Sequence, residues 1–146
     1  AIVSFAAGAN LAIENRAKNS IHIRRLRDLL INEIKIAVPD VVINSPTDPA
    51  LPGTVNISIP GTESDALLLL LDSEGISASA GSACSAGVPR PSHVLIALGL
   101  PEELADASLR ITIGASNTES DINTFAKVLP SVVERARNAF AVGKLS

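Results

Sequence analysis

Residues 54–59 have the sequence TVNISI, in which Val55, Ile57 and Ile59 fall on one face of an extended chain. This alternation with a period of two predicts a strand that is half-buried on a sheet. Further short strands are predicted at residues 41–43, 76–79 and 109–113. The sequence therefore predicts a small sheet of short strands.

Helical periodicity dominates the two ends of the chain. Apolar residues recur at spacings of three and four over residues 1–37, and the polar stretch 15–20 within them predicts a bend or a break. A last helix is predicted from Thr118 to about Phe140, broken or kinked at Pro130. A basic cluster in the first helix is interpreted as a solvated helix face: Arg24, Arg25 and Arg27.

Two short helices are predicted between the strands. Thr62 and Asp65, three residues apart, resemble a capping box, and Gly75 is expected just beyond the end of the helix they begin. Ser92 is expected to cap the second helix, which Gly99 closes. Strands and helices alternate without an internal repeat, which favours an α+β fold with helices packed on one small sheet.

Composition and charge exclude several classes of protein. The chain has 146 residues, 47% of them hydrophobic and 18% charged, which suits one folded domain and excludes a disordered chain. A net charge of −3 and 3 aromatic residues argue against nucleic-acid binding. The longest apolar run, residues 66–71, is too short to cross a membrane, and no signal peptide is recognised, so the expected location is the cytoplasm.

The chain contains few residues that could bind a metal ion. Cys84 is its one cysteine, and His22 and His93 are its histidines, with no carboxylates clustered near them. An intrachain disulfide and a four-cysteine zinc site are therefore impossible, and no metal site is expected. The chain also lacks methionine, even at position 1. It is therefore expected to be a processed product or a piece of a longer protein.

Cys84 lies in a run of small residues, 80–87, that fits neither helical nor strand periodicity. Glycine and serine neighbours fill a core poorly, and loops on a rigid scaffold often carry functional groups. The thiol of Cys84 is therefore a candidate nucleophile. The alternative is a buried cysteine that acts only as a small hydrophobic residue. Rapid alkylation of the folded protein would favour the first interpretation.

The spacing from Cys84 to Arg90 also matches the phosphate-binding loop of cysteine-dependent phosphatases. That loop binds phosphate through its backbone N–H groups and its arginine. Pro89 lacks such an N–H, and Ala83 stands where that family has a histidine. The chain also has no tryptophan for the loop that supplies the general acid, so the phosphatase interpretation is disfavoured.

A series of segments along the chain resembles a known family. They are LPGTVNISIPG (51–61), GI (75–76), SAGSACSAG (79–87), PSHVL (91–95), ALG (97–99), LRITIG (109–114) and NTE (117–119). In this order they resemble the C-terminal part of the cysteine desulfurases, pyridoxal-phosphate enzymes of the class V aminotransferase superfamily, in the variant with a glycine-serine-alanine-cysteine loop. The resemblance spans nearly the whole chain and implies the small domain of a fold-type I enzyme. That domain has a small, mostly antiparallel sheet with helices on one side, an α/β sandwich, and a long N-terminal helix.

The resemblance also implies roles for individual residues. Cys84 would be the catalytic nucleophile that takes sulfur from L-cysteine as a persulfide while L-alanine is released. Arg110 would bind the substrate carboxylate, whereas without the family it could equally be a surface cation. His93 is expected to be structural. The persulfide would pass to a sulfur-acceptor scaffold protein, for iron–sulfur cluster assembly or tRNA thiolation, and the full-length enzyme would be a homodimer.

One departure from the family concerns the cofactor. The family binds pyridoxal phosphate through a lysine that follows a histidine in the large domain, and none of the lysines here has that setting. Residues 1–146 are therefore expected to be a single C-terminal domain without cofactor-binding residues, inactive by itself, with apolar surface exposed where the large domain docks. Alternatives are a stand-alone persulfide carrier or interaction module, and another pyridoxal-phosphate enzyme such as a selenocysteine lyase.

Overall fold

The computed structural model describes residues 1–46, 48–80 and 91–143. Its elements, in chain order, are α1 (Ile2–Ala37), β1 (Val42–Ile43), β2 (Thr54–Ser58), α2 (Ser64–Ser73), α3 (His93–Ala97), α4 (Glu102–Asp106), β3 (Ser108–Thr112) and α5 (Glu119–Gly143). The expected α+β architecture, with a small antiparallel sheet and a long first helix, is confirmed. Helix α4 was not predicted.

The sheet has the order β1-β2-β3, and both pairs of strands are antiparallel. Val55 lies opposite Ile111 and Ile57 lies opposite Leu109. All four side chains are buried on one face of the sheet, as the alternation in residues 54–59 predicts. Residues 76–79 do not form the predicted strand, because their only pairing is an isolated bridge between Ser79 and Arg110.

Three long helices cover the apolar face of the sheet. The second half of α1, together with α2 and α5, contributes most of the remaining core. Their fully buried side chains are Leu26, Leu30, Ile34, Leu67, Leu71, Leu129, Val132 and Ala136. Because this face is closed by helices, the opposite face of the sheet is left for polar side chains.

The ends of α2 show one wrong prediction and one correct prediction. Thr62 does not cap the helix, because its buried hydroxyl donates to the carbonyl of Ile59 at 2.7 Å and the helix begins only at Ser64. At the other end, Gly75 has φ +75°, and its N–H donates to the carbonyl of Asp72. The N–H of Ile76 donates to the carbonyl of Leu71. These bonds form a Schellman motif, which confirms the expected role of Gly75.

Ser92 precedes α3 as predicted, but its side chain makes no capping hydrogen bond. Its carbonyl accepts a hydrogen bond from the N–H of Ile96. Gly99 follows the helix with φ +89°, which confirms the predicted closure.

Two predictions about helix α1 are wrong. It runs without a break through residues 15–20, where the Asn15 side chain donates to the carbonyl of Leu11 at 2.9 Å. The basic cluster is not uniformly solvated, because Arg27 is 4% exposed and pairs with Asp28. Arg25 is exposed and forms an ion pair with Glu119 at the start of α5.

The first half of α1 extends beyond the packed core. Its large apolar side chains are exposed: Ile2, Val3, Phe5, Leu11, Ile13 and Ile21. Buried positions of α1 begin at Leu26. This helix therefore exposes apolar surface, and the docking of a large domain against it stays a prediction. Within the described ranges, no helix is long and apolar enough to cross a membrane.

Helix α5 begins where the sequence predicts and continues through Pro130 without a break. Pro130 is on the exposed side of the helix. At the start of the helix, the N–H of Thr118 donates to Asp121 Oδ2 at 2.8 Å, and the N–H of Asp121 donates to Thr118 Oγ1 at 3.4 Å. Thr118 and Asp121 thus form the capping box of this helix.

Candidate functional site

The polar face of the sheet carries the candidate site. Across β2 and β3, polar residues are paired: Thr54 with Thr112, Asn56 with Arg110, and Ser58 with Ser108. Residues directly opposite each other in an antiparallel pair project from the same face, with Cβ atoms about 5 Å apart. Arg110 and Asn56 are therefore neighbours on this face.

Arg110 projects away from the core, because the buried Leu109 and Ile111 beside it occupy the other face. Its backbone is held by two hydrogen bonds to Ser79, of 2.6 Å and 3.0 Å. Its guanidinium makes no hydrogen bond or ion pair with any residue in the described ranges. The structure thus shows an arginine whose backbone is fixed and whose guanidinium has no partner among residues 1–46, 48–80 and 91–143.

A cleft of about 410 Å³ lies over this face. Its lining residues are Asn44, Ser45, Pro46, Asn56, Ser92, His93, Val94, Leu95, Leu98, Ser108 and Arg110. Among these there is no carboxylate, and Arg110 supplies the permanent charge. Such a cleft suits a small anion, because an exposed guanidinium without a described carboxylate partner can bind an anionic group through charge-assisted hydrogen bonds.

Polar side chains beside Arg110 form a hydrogen-bonded chain. Ser58 Oγ donates to the carbonyl oxygen of Leu104 at 2.6 Å. Asn44 Nδ2 donates to Ser58 Oγ at 2.8 Å and to Asn56 Oδ1 at 2.7 Å. Asn44 and Asn56 were not identified as site residues from the sequence. The alternation in residues 54–59 could have identified Asn56, because it places this residue on the face opposite Val55 and Ile57.

Cys84 lies outside the described residues, within 81–90. Described residues on both sides of that segment are close to Arg110. Ser79 is bonded to the backbone of Arg110, and Ser92 lines the cleft with Arg110. His93 also lines it, with an exposed side chain.

The described residues do not fit a pyridoxal-phosphate site. That cofactor is held through a lysine, and no lysine lines the Arg110 cleft. The described lysines, Lys18, Lys35 and Lys127, lie on α1 and α5, which cover the other face of the sheet. In the same part of the chain, no cluster of histidine, aspartate and glutamate side chains could hold a metal ion.

Comparison with known proteins shows the family to which this chain belongs. The model of the family "Aminotransferase class-V" matches residues 1–125, which include the sheet, the cleft and the start of α5. The chain belongs to this family. The chain spans about a third of the length of the curated relatives it matches.

Two of these relatives are cysteine desulfurases by name. The chain is 44% identical over 138 residues to an "IscS-like cysteine desulfurase" of Mycobacterium tuberculosis, covering 94% of this chain and 35% of that protein. It is 43% identical over 138 residues to "Cysteine desulfurase IscS" of Clostridium botulinum, covering 93% of this chain and 35% of that protein.

A solved structure agrees with these relatives. The NifS-like protein of Rickettsia africae is 33% identical to this chain with a TM-score of 0.74. The match covers 85% of this chain and 31% of that structure. The class-V family expected from the sequence is therefore confirmed.

Proposed function

We propose that this chain is the small C-terminal domain of a pyridoxal-phosphate-dependent cysteine desulfurase of the type with a glycine-serine-alanine-cysteine loop. One observation carries the proposal. The guanidinium of Arg110, unpaired among the described residues, is the permanent charge of a cleft; before the Cys84 segment Ser79 is hydrogen-bonded to the backbone of Arg110, and after it Ser92 lines the same cleft. The names of the relatives support the same activity.

Arg110 binds the carboxylate of L-cysteine in this proposal. A guanidinium presents paired N–H donors that match the two oxygens of a carboxylate. Two features of the structure prepare Arg110 for this role. The bonds to Ser79 fix its backbone, and no described carboxylate competes for its side chain.

Cys84 accepts the sulfur atom. In the net reaction the C–S bond of L-cysteine breaks, and its electron pair stays on carbon, which takes up a proton to give L-alanine. A new S–S bond forms between the transferred sulfur and Cys84, giving a persulfide with no external oxidant. Cys84 follows Ser79 by five residues, and five residues of chain span at most roughly 18 Å. The chain length therefore limits the Cα atom of Cys84 to that distance from the Cα atom of Ser79, whose backbone is hydrogen-bonded to Arg110.

The cofactor is held by another part of the protein in this proposal, because the described residues offer no lysine at the cleft. The 146-residue chain by itself is therefore proposed to be inactive. The apolar side chains along the first half of α1 support contact with such a part. Homodimer formation and delivery of the persulfide to an acceptor scaffold remain predictions.

The proposal is tested on the gene product at its natural length. We expect the wild-type protein to form L-alanine from L-cysteine and to carry one persulfide per chain, detected by mass spectrometry after labelling. Cys84→Ser is expected to abolish the persulfide, and Arg110→Ala is expected to raise KM for L-cysteine roughly 10- to 100-fold, as expected for a lost charge-assisted contact.

A matched control removes a different arginine. Arg24 is exposed on α1 and does not line the cleft, so Arg24→Ala is expected to leave KM unchanged. A wild-type protein that produces no persulfide from L-cysteine would refute the proposal. A natural gene product that accepts persulfide only from another enzyme would indicate a carrier instead.

A further inference from the structure

The donor and acceptor of each hydrogen bond in the chain beside Arg110 are fixed, and the carbonyl oxygen of Leu104 fixes them. A backbone carbonyl oxygen can only accept hydrogen bonds. Ser58 Oγ lies 2.6 Å from this oxygen and must therefore direct its hydrogen toward it. A hydroxyl has one hydrogen, so Ser58 Oγ can only accept from its next neighbour, Asn44.

The same reasoning fixes the donor and acceptor atoms of Asn44 and Asn56. The atom of Asn44 that lies 2.8 Å from Ser58 Oγ must be its donor, Nδ2. The same Nδ2 lies 2.7 Å from the Asn56 side chain, which must accept there with Oδ1. The Asn56 amide is thus held in one orientation, in which Nδ2 is directed away from Asn44. Within the described ranges, no residue accepts a hydrogen bond from that Nδ2.

The oriented amide lies beside Arg110, whose guanidinium is unpaired among the described residues. Asn56 is the register partner of Arg110, and both line the cleft. We infer that Asn56 binds the substrate carboxylate together with Arg110, and that Asn44 is a positioning residue that keeps the donor end of Asn56 toward the cleft. This inference rests on the proposed function for the identity of the carboxylate, which is that of L-cysteine.

The arrangement recognises a carboxylate and disfavours an uncharged group or a cation. Arg110 supplies two N–H donors, and the fixed Nδ2 of Asn56 supplies one more to the same pair of oxygens. A carboxylate has lone pairs for all three. If the Asn56 amide turned over, Oδ1 would face the carboxylate and repel it. The bond from Asn44 prevents that turn.

The test uses the gene product at its natural length and two ligands of similar size. L-Alanine carries the carboxylate, and cysteamine lacks it. Asn56→Ala is expected to raise KM for L-cysteine and the Kd for L-alanine, measured by calorimetry, by roughly tenfold each. The inhibition constant of cysteamine is expected to stay unchanged. An equal loss for both ligands would mean a structural defect and would overturn the inference.

A double-mutant cycle tests the role of Asn44. Asn44→Ala is expected to weaken L-alanine binding in the wild-type background and to have no further effect in the Asn56→Ala background, because its effect acts through Asn56. Additive losses would overturn the positioning role. Thr112→Ala is the matched control, since Thr112 is on the same face of β3 but does not line the cleft.

The two proposals fail in different ways. If the wild-type protein forms no persulfide but binds L-alanine with the expected dependence on Asn56, the desulfurase function is wrong and carboxylate binding stands. If it forms persulfide and Asn56→Ala leaves KM and Kd unchanged, the role of Asn56 is wrong. If L-alanine does not bind to the wild-type protein, the carboxylate site is wrong.

Discussion

Replacement of Gly53 by alanine tests the packing that aligns β2 with β3. Gly53 precedes β2, and its carbonyl accepts the N–H of Ile113 at 2.8 Å. A Cβ atom added at Gly53 would come closer to the carbonyl oxygen of Ile113 than the 3.0 Å that real Cβ atoms keep. It would also meet the Ile23 side chain of α1 at 3.0 Å.

The cost of this change follows from the atoms that must move. The closest neighbour is the backbone oxygen of Ile113, which directly follows β3 and cannot rotate away as a side chain can. Overpacking of this kind costs about 1–3 kcal/mol. Loss of the hydrogen bond between Gly53 and Ile113 adds about 1 kcal/mol. Alanine also restricts the unfolded chain, which stabilises the folded state by about 0.5–1 kcal/mol. The expected net loss of stability is therefore about 1–3.5 kcal/mol.

Thermal unfolding followed by far-UV circular dichroism measures this loss. At this chain length 1 kcal/mol corresponds to about 2–4 °C, so Gly53→Ala is expected to lower Tm by about 2–14 °C. Gly8→Ala is the matched control, because a Cβ atom at Gly8 on α1 meets nothing within 4 Å. It should leave Tm unchanged or slightly higher, since alanine favours a helix. An unchanged Tm for Gly53→Ala would refute the close approach.

Three further predictions concern charges and a helix end. Burial raises the pKa of Asp106, so its charged form destabilises the folded state at pH 7. Asp106→Asn is therefore expected to raise the free energy of unfolding at pH 7 by less than about 1 kcal/mol, seen as a higher Tm, and the gain should disappear below about pH 4. The N–H of Thr118 lowers the pKa of Asp121, so that carboxylate stabilises the fold above its ordinary pKa of 3.8. Asp121→Asn should therefore destabilise the protein at pH 7 and make it less sensitive to acid between pH 4 and pH 2 in a Tm-against-pH series; a wild-type slope would contradict the capping bond. Gly75→Ala, at φ +75°, should cost about 1–2 kcal/mol in urea unfolding, and an unchanged midpoint would contradict the left-handed helix end.

Much of the fold could be predicted because its signals are local. The alternation of Val55, Ile57 and Ile59 is sufficient to predict a strand and its buried face, and Gly75 marks the end of a helix through its backbone alone. The break expected at residues 15–20 does not occur, because polarity by itself does not interrupt a helix whose side chains face solvent. The capping box at Thr62 failed because its hydroxyl found a competing acceptor, the Ile59 carbonyl.

The site could be predicted only in part. The flanking residues Leu109 and Ile111 left the direction of the Arg110 side chain open in the sequence, and the structure shows both of them buried and Arg110 exposed. The hydrogen bond between Asn44 and Asn56 depends on the register of β1 against β2, and no local sequence pattern predicts that register. The role of Cys84 came from the resemblance to a family, and it stays a prediction because Cys84 lies outside the described residues.

The length of α1 has a consequence for how its backbone exchanges hydrogen with solvent. Its 36 residues extend about 54 Å, and the buried contacts begin only at Leu26. An unpacked helical segment opens with little free-energy cost, since helix formation without tertiary contacts is marginal. In the chain studied by itself, amide exchange should therefore be fast over the first turns of α1 and slow abruptly beyond His22, where the helix is first bonded to Asn117. A protein that covers the first half of α1 would slow the exchange of the amides it contacts. The protected amides would therefore show, residue by residue, which part of the helix that protein covers.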